Sequence, residues 1–242
     1  MHTILLHGIG GSSWDDVVPG ALDWPMPGFG GTPPLRAMSV PALAAALRDL
    51  LDARGWPKAA LVGHSMGGML AQEFIATWPE RVEKLVLYGT TPAFGGRDPA
   101  FAEAFLKARL GPLEGGRSMA EAAPDMSQGM FAPGTKEAAR RPAEAAMAAV
   151  PEQVYRDTLR CLTTFDRREA LAKIAVPTLL VAGEHDPAAP PKTMQRMEAA
   201  VPGARLVVIE RAGHFAHLEQ PEAFRAAVLP FLRGFSRPKP PA

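Results

Sequence analysis

A serine between two glycines is the first candidate for chemistry in this chain. Ser65 stands in the sequence Gly63-His-Ser-Met-Gly67, directly after the apolar residues 59–62 and before a helical pattern. A G-x-S-x-G motif at a strand-to-helix turn strains the serine backbone, and side chains two positions away would collide there. The free N–H groups at the helix start favour a developing negative charge. The motif predicts a nucleophile, with a purely structural turn as the alternative.

A serine nucleophile needs a base, and the base needs an acid that fixes its tautomer. His214 follows the apolar residues 206–209, which places it on a loop at the same predicted sheet edge as Ser65. Asp186 follows the apolar residues 178–182 and is the candidate acid. Glu184 competes for that role, but the first turn after the strand would aim it less favourably. The order Ser, Asp, His is the one expected with this motif.

Acyl transfer also needs N–H donors for the oxyanion, each worth roughly 3 kcal/mol. Met66 supplies one as the residue after the nucleophile. Ile9 supplies the second from the glycine-rich loop at residues 7–11, which the glycines allow to approach closely. A phosphate cradle is the other interpretation of such a loop, but it fails because no lysine follows as a P-loop demands.

The elements that would position these residues are short apolar runs separated by helical patterns. The runs are apolar on both faces, which is typical of parallel strands covered by helices; they span residues 3–6, 59–62, 84–88, 178–182 and 206–209. A helix carrying Leu43, Leu47 and Leu51 can be capped by Ser39 and ended by Gly55. This alternation predicts an α/β fold with a doubly wound, mostly parallel sheet.

Residues 92–165 break this rhythm, because they show helical segments and no strand. We expect a helical cap inserted over the C-terminal edge of the sheet, with the α/β core formed by residues 1–91 and 166–235. Residues 236–242 are rich in proline and are predicted to be a disordered tail. Ligands of open α/β sheets bind at that edge, and the candidates for the substrate pocket are Trp14, Phe165 and Phe215, with Met66.

The composition argues against several classes of protein. The 26 Lys and Arg balance 25 Asp and Glu, with a net charge of +1, so we expect no nucleic-acid or membrane partner. The lone Cys161 cannot form an intrachain disulfide, and no zinc-type cluster is present in the sequence. We expect a single cytoplasmic body with no metal and no cofactor, acting on a small molecule.

Five motifs resemble those of the α/β-hydrolase superfamily, within it the small esterases and lactonases such as 3-oxoadipate enol-lactonase and the pimeloyl carrier-protein methyl esterase. They are HGIGGSSW, MPGFGGT, GHSMGG, PTLLVAGEHDPAAP and AGHFAHLEQPEAF, in this order between residues 3 and 231. The resemblance implies a cofactor-free serine hydrolase with a covalent acyl-enzyme and a cap that sets specificity. Haloalkane dehalogenases and epoxide hydrolases are less similar because they carry Asp where this chain has Ser65.

Two departures from that pattern concern the start of the sheet. Family members begin with a β-hairpin, whereas the first apolar run here starts at residue 3, so we expect the hairpin to be missing and one sheet edge to be shortened. The interval from Trp14 to Trp24 is too brief for the usual helix and strand. An altered oligomer contact, with a homodimer as one arrangement, is compatible with these departures.

The sequence is compatible with three functions. Hydrolysis of a small ester or lactone is favoured by the complete set of triad residues. Cleavage of a carbon–carbon bond on the same fold is the alternative, and a non-catalytic small-molecule receptor is a further one. The charge of the substrate is undecided, because an acidic substrate would need one of five arginines that could reach the site, namely Arg109, Arg140, Arg141, Arg160 or Arg167.

Overall fold

Six parallel strands form a single sheet in the computed structural model, which describes residues 1–94 and 99–234. Their order across the sheet is β2-β1-β3-β4-β5-β6, and every neighbouring pair is parallel. The strands are β1 (Thr3–Leu6), β2 (Leu22–Asp23), β3 (Ala59–His64), β4 (Val82–Tyr88), β5 (Thr178–Gly183) and β6 (Arg205–Ile209). The predicted doubly wound parallel sheet is confirmed, and within the described residues no antiparallel hairpin precedes β1.

Helices connect and cover these strands. They are α1 (Val40–Ala53), α2 (Met66–Thr77), α3 (Pro99–Glu114), α4 (Met119–Gln128), α5 (Glu137–Ala148), α6 (Glu152–Leu162), α7 (Pro191–Ala200), α8 (Ala216–Glu219) and α9 (Pro221–Leu232), with 3-10 turns at Pro79–Arg81 and Arg168–Lys173. The predicted cap of α1 is confirmed, because the Ser39 hydroxyl accepts a hydrogen bond from Ala42 N at 3.2 Å. Gly55 follows the helix with φ +63°.

Two hydrophobic cores lie on opposite faces of the sheet. Successive strand residues point to opposite faces, so Leu61 joins the core beneath α1 and α2, whereas Val62 joins the core beneath α9. All six residues of β3 and of β5 are buried. Burial on both faces explains why these strands are continuously apolar in sequence.

The segment after β1 corrects one expectation. Residues 14–24 do contain a strand, since Leu22 and Asp23 pair with Ile4 and Leu5 of β1. This strand lies at the edge of the sheet and is two residues long, and Trp24 N extends its pairing with a 3.3 Å hydrogen bond to Leu5 O. The expected lack of a helix between β1 and β2 is confirmed.

Helices α3–α6 lie between β4 and β5 with no strand among them, as predicted for this segment. The two ends of the segment pair side by side: Phe94 N donates to Phe165 O at 2.9 Å, and Arg167 N donates to Pro92 O at 2.7 Å. Arg167 also forms an ion pair of 2.6 Å with Glu73 of α2. The chain thus leaves and rejoins the sheet at one place, which supports a cap at residues 92–165. The predicted tail at residues 236–242 lies outside the described residues.

The position of β1 between β2 and β3 creates a crevice at the sheet edge. The chain first winds from β1 to β2 and then crosses to β3 on the other side. Loops that leave β1 and β3 at their carboxyl ends therefore diverge, and ligands of open α/β sheets bind at this topological switch point. The glycine-rich loop and Ser65 follow these two strands.

Candidate active site

Ser65 occupies a strained turn between β3 and α2. Its φ of 54° and ψ of −116° are unusual for a residue with a side chain, and its N–H donates to Tyr88 O at 2.9 Å. A Cβ added at Gly63 would lie 2.4 Å from Gly67 O, and one added at Gly67 would lie 2.0 Å from Leu6 O. The two flanking positions therefore exclude any side chain, as the motif predicts.

His214 and Asp186 form a buried pair. Asp186 Oδ2 lies 2.8 Å from His214 Nδ1, and the two side chains are 0% and 8% exposed. Burial opposes ionisation of Asp186, yet the charge of protonated His214 and the hydrogen bond to it keep the pKa of Asp186 below its ordinary value. The N–H groups of Ala188 and Ala189 add hydrogen bonds of 2.8 and 3.0 Å to Oδ1. The carboxylate is thus held charged and engages Nδ1, so proton exchange would use His214 Nε2.

One cavity of about 340 Å³ brings the sheet-edge residues together. Ser65, His214, Ile9, Met66 and Phe215 all line it. A Cβ at the intervening Gly89 would lie 3.2 Å from Asp186 Oδ2 and 3.3 Å from His214 Nδ1, which shows how closely the backbone approaches the pair. Residues from three distant parts of the sequence thus face one space.

A buried histidine holds the loop that contains Ile9. The Nδ1 atom of His7 lies 2.8 Å from Gly8 O, and its Nε2 accepts a hydrogen bond from Met26 N at 3.3 Å. Burial lowers the pKa of His7 to about 4, although the bond to Gly8 opposes the shift. The imidazole is therefore neutral at pH 7, with its proton on Nδ1 donated to Gly8 O.

The backbone carbonyl of His214 accepts two hydrogen bonds from buried side chains. Tyr88 Oη donates to it at 2.8 Å, and the Nε2 atom of His64 lies 2.9 Å away as a second donor. From the other direction, His214 N donates to Met130 O of the helical segment at 2.7 Å. Burial raises the pKa of Tyr88 well above its ordinary range and lowers that of His64 well below. Both groups are therefore neutral donors that fix the backbone beneath the imidazole.

A family model described as the alpha/beta hydrolase family matches residues 3–227. The chain belongs to the alpha/beta hydrolase family. The resemblance inferred from the sequence motifs is confirmed at this level.

Named relatives of this alpha/beta hydrolase agree with that assignment. A pimeloyl acyl-carrier-protein methyl ester esterase of Neisseria meningitidis serogroup B is 30% identical over 244 residues, covering 95% of this chain and 92% of the relative. The polyketide synthase ThaQ of Burkholderia thailandensis is 33% identical over 213 residues, which are 85% of this chain and 10% of that much longer protein. Among solved structures, a hydrolase from Pseudomonas aeruginosa PA01 has a TM-score of 0.83 at 28% identity, covering 95% of this chain and 89% of the other.

The carboxylate of Glu219 links the helical segment of this hydrolase to the His214 loop by hydrogen bonds. Its Oε1 accepts from Gly213 N at 2.9 Å and from Phe215 N at 3.3 Å. Its Oε2 accepts from Ala132 N at 2.7 Å and from the Thr135 hydroxyl at 2.8 Å. One side chain therefore satisfies two backbone donors beside the imidazole and two donors on the loop between α4 and α5.

Two of the expected pocket residues lie elsewhere. Trp14 is not among the described residues that line the cavity; it is buried in the core beneath α9, with its ring centroid 5.0 Å from that of His217. Phe165 is buried in the core on the opposite face. Proximity to a motif in the sequence does not show whether an aromatic residue lines the cavity or belongs to the hydrophobic core. The carboxylate that contacts His214 is that of Asp186, whereas the competitor Glu184 accepts a hydrogen bond from Arg211 N at 2.8 Å.

Sequence reasoning missed Tyr88, Glu219 and the role of His7. Tyr88 ends β4 at the carboxyl edge of the sheet, and that position was a usable signal. Glu219 ends the short helix α8, five residues beyond His214, where the pattern indicates an ordinary surface acid. Its function depends on a loop far away in sequence, so no local signal could have revealed it.

The described residues contain neither a metal-binding cluster nor a helix that could span a membrane. No group of three or more His, Cys, Asp or Glu side chains there could hold a metal ion. No helix within residues 1–94 and 99–234 is long and apolar enough to cross a bilayer.

Proposed function

We propose that this alpha/beta hydrolase cleaves a small carboxylic ester or lactone through an acyl-enzyme on Ser65. The Ser65 hydroxyl attacks the carbonyl carbon while His214 Nε2 takes its proton, and Asp186 stabilises the resulting imidazolium. The imidazolium then returns the proton to the leaving alkoxide, which departs as an alcohol. A water molecule, deprotonated by His214, then attacks the acyl-enzyme, and His214 returns that proton to Ser65 Oγ as the bond to the acyl group breaks and the carboxylic acid is released.

The oxyanion of each tetrahedral intermediate would be bound by the N–H groups of Ile9 and Met66. Both residues line the cavity, and Met66 is the first residue of α2, where the N–H groups are free of helical partners. The positive end of the helix adds to this stabilisation. The neutral imidazole of His7 keeps the Ile9 loop in place through its bonds to Gly8 and Met26.

The observation that carries the proposal is the buried pair of His214 and Asp186, joined at 2.8 Å, whose histidine lines one cavity together with a strained serine. Acyl transfer requires a base with a fixed tautomer in the same site as the nucleophile. The methyl ester esterase relative, similar over 95% of this chain, supports esters as the substrate class.

Replacement of the nucleophile tests this function. Ser65→Ala should lower kcat for p-nitrophenyl acetate by on the order of a million-fold, and an activated fluorophosphonate should label the wild-type protein on Ser65 and fail to label the variant. Ser12→Ala serves as the matched control because Ser12 contacts Asp23 and does not line the cavity. Undiminished cleavage by Ser65→Ala would refute the proposal.

Several expectations from the sequence enter this proposal unchanged. The reaction needs no cofactor, the substrate is a small molecule, and the protein works in the cytoplasm. Residues 92–165 act as the cap over residues 1–91 and 166–235, and a homodimer remains one arrangement of the chain.

A further inference from the structure

The cavity wall contributed by the helical segment is apolar except for one guanidinium. Its side chains come from phenylalanine, methionine, leucine and alanine, together with Arg109 of α3. Among the described residues that line the cavity, Arg109 is the one permanent charge, and no Asp or Glu is present. This charge has no part in the mechanism proposed above.

Arg109 is held in place without a described counter-ion. Its Nη1 donates to Met126 O at 2.8 Å, and the guanidinium lies 5.7 Å from the centre of the Phe105 ring. Arg109 also lies near Tyr155. Burial raises the pKa of Tyr155, and the positive charge of Arg109 works against this rise. Within the described part of the chain, no carboxylate forms an ion pair with Arg109.

The arginines that the sequence offered for an acidic substrate are thereby separated. Arg141 pairs with Glu137 at 2.7 Å, and Arg160 pairs with Asp157 at 3.1 Å. Arg167 pairs with Glu73, and Arg140 is not among the residues lining the cavity. Arg109 alone of the five lines the cavity.

We infer that Arg109 binds a carboxylate of the substrate. A guanidinium has five N–H donors, and a half-buried cation in an apolar wall gains most from an anion that it can bind through two parallel hydrogen bonds. The substrate of this site is therefore an ester or lactone that bears a second, anionic group. This inference rests on the proposed function, since it concerns the same cavity.

The test compares charged and neutral esters of equal length. Monomethyl adipate against methyl heptanoate places the carboxylate on the acyl side, and 4-acetoxybutanoate against pentyl acetate places it on the alcohol side. Wild-type enzyme should prefer the charged member of one pair by at least about tenfold in kcat/KM. Arg109→Met should lose roughly 10- to 100-fold on that ester and stay within about twofold on its neutral partner.

Two further variants separate charge from packing. Arg109→Lys keeps the charge but not the fork of donors, so it should recover part of the preference. Arg160→Met removes an exposed cap-region arginine and should leave the preference unchanged. Thermal melting of each variant reports any loss of folding.

Calorimetric titration of Ser65→Ala protein with the same esters reads binding without turnover. Equal treatment of charged and neutral esters by the wild-type enzyme, or an equal loss on both in Arg109→Met, would overturn the inference while ester cleavage itself stands. Tighter binding of the charged ester through Arg109, without any cleavage by the wild-type enzyme, would uphold the inference and remove the proposed function.

Discussion

The sheet edge and the helical segment shape the same cavity by different means. At the sheet edge the backbone itself is packed, so that a Cβ at Gly67 would lie 2.0 Å from Leu6 O. Where the helical segment contacts the glycine-rich loop, a Cβ at Gly10 would lie 3.1 Å from Cε of Met147, the end of a flexible side chain. The glycines beside Ser65 therefore tolerate no side chain. The cavity wall from the helical segment consists of side chains that can be replaced by others of similar volume.

The two regions are nevertheless joined beside the proposed base. His214 N donates to Met130 O, and a Cβ at Gly213 would lie 2.4 Å from that same oxygen. Glu219 adds four hydrogen bonds across the junction. A movement of the loop between α4 and α5 would therefore be transmitted to the imidazole.

After the loss of Ser65 itself, the largest effect is expected at the acid of the sheet edge. Asp186→Asn should lower kcat about 10⁴-fold, because an amide at this position favours the wrong tautomer of His214. Steady-state kinetics on p-nitrophenyl acetate measure it. Glu184→Gln is the control and should stay within about twofold, since that carboxylate bonds to Arg211 N. A greater loss in Glu184→Gln than in Asp186→Asn would exchange the two roles.

The next largest effect is expected at Glu219, which joins the His214 loop to the helical segment. Glu219→Gln should lower kcat roughly tenfold with little change in KM, because the amide NH₂ cannot accept from the donors that the carboxylate satisfies. A loss of stability alone would not produce this split between kcat and KM. Glu222→Gln, an exposed acid on α9, is the matched control. An unchanged kcat would show that the hydrogen bonds of Glu219 do not position His214.

The contrast also explains how far the sequence could predict the molecule. Strands β1 and β3–β6 and the meeting of Ser65, Asp186 and His214 at one edge follow from local rules, since strands buried on both faces and glycine-flanked turns leave continuous patterns. The cavity wall did not follow. Trp14 and Phe165 are apolar and near motifs, yet they are core residues, because the inward face of a cap is decided by helix packing that no short pattern encodes.

Acid sensitivity should belong to the sheet edge, because all six histidines lie outside residues 92–165. Burial lowers the pKa of His7 to about 4 and that of His217 to about 3. The unfolded chain takes up protons near pH 6.5, while these folded groups do not until the lower values. The free energy of unfolding should therefore fall between pH 6.5 and 4, by about 1.4 kcal/mol per pH unit for each such histidine.

Urea unfolding at pH 7, 6 and 5 measures this slope. His217→Gln should flatten it by one histidine's share, whereas His185→Gln should not, since His185 is exposed. A slope that His217→Gln leaves unchanged would place the acid sensitivity elsewhere.

The smallest effect is expected where the wall is exchangeable. Met147→Leu conserves volume, so it should cost less than about 1.5 kcal/mol of stability and change kcat on acetate esters by no more than about twofold. It should instead shift the acyl length that gives the highest kcat/KM, because the Met147 side chain lines the cavity beside Gly10. A p-nitrophenyl ester series from acetate to octanoate measures this shift. A uniform loss across the series would mean that this wall, like the sheet edge, positions the reacting groups.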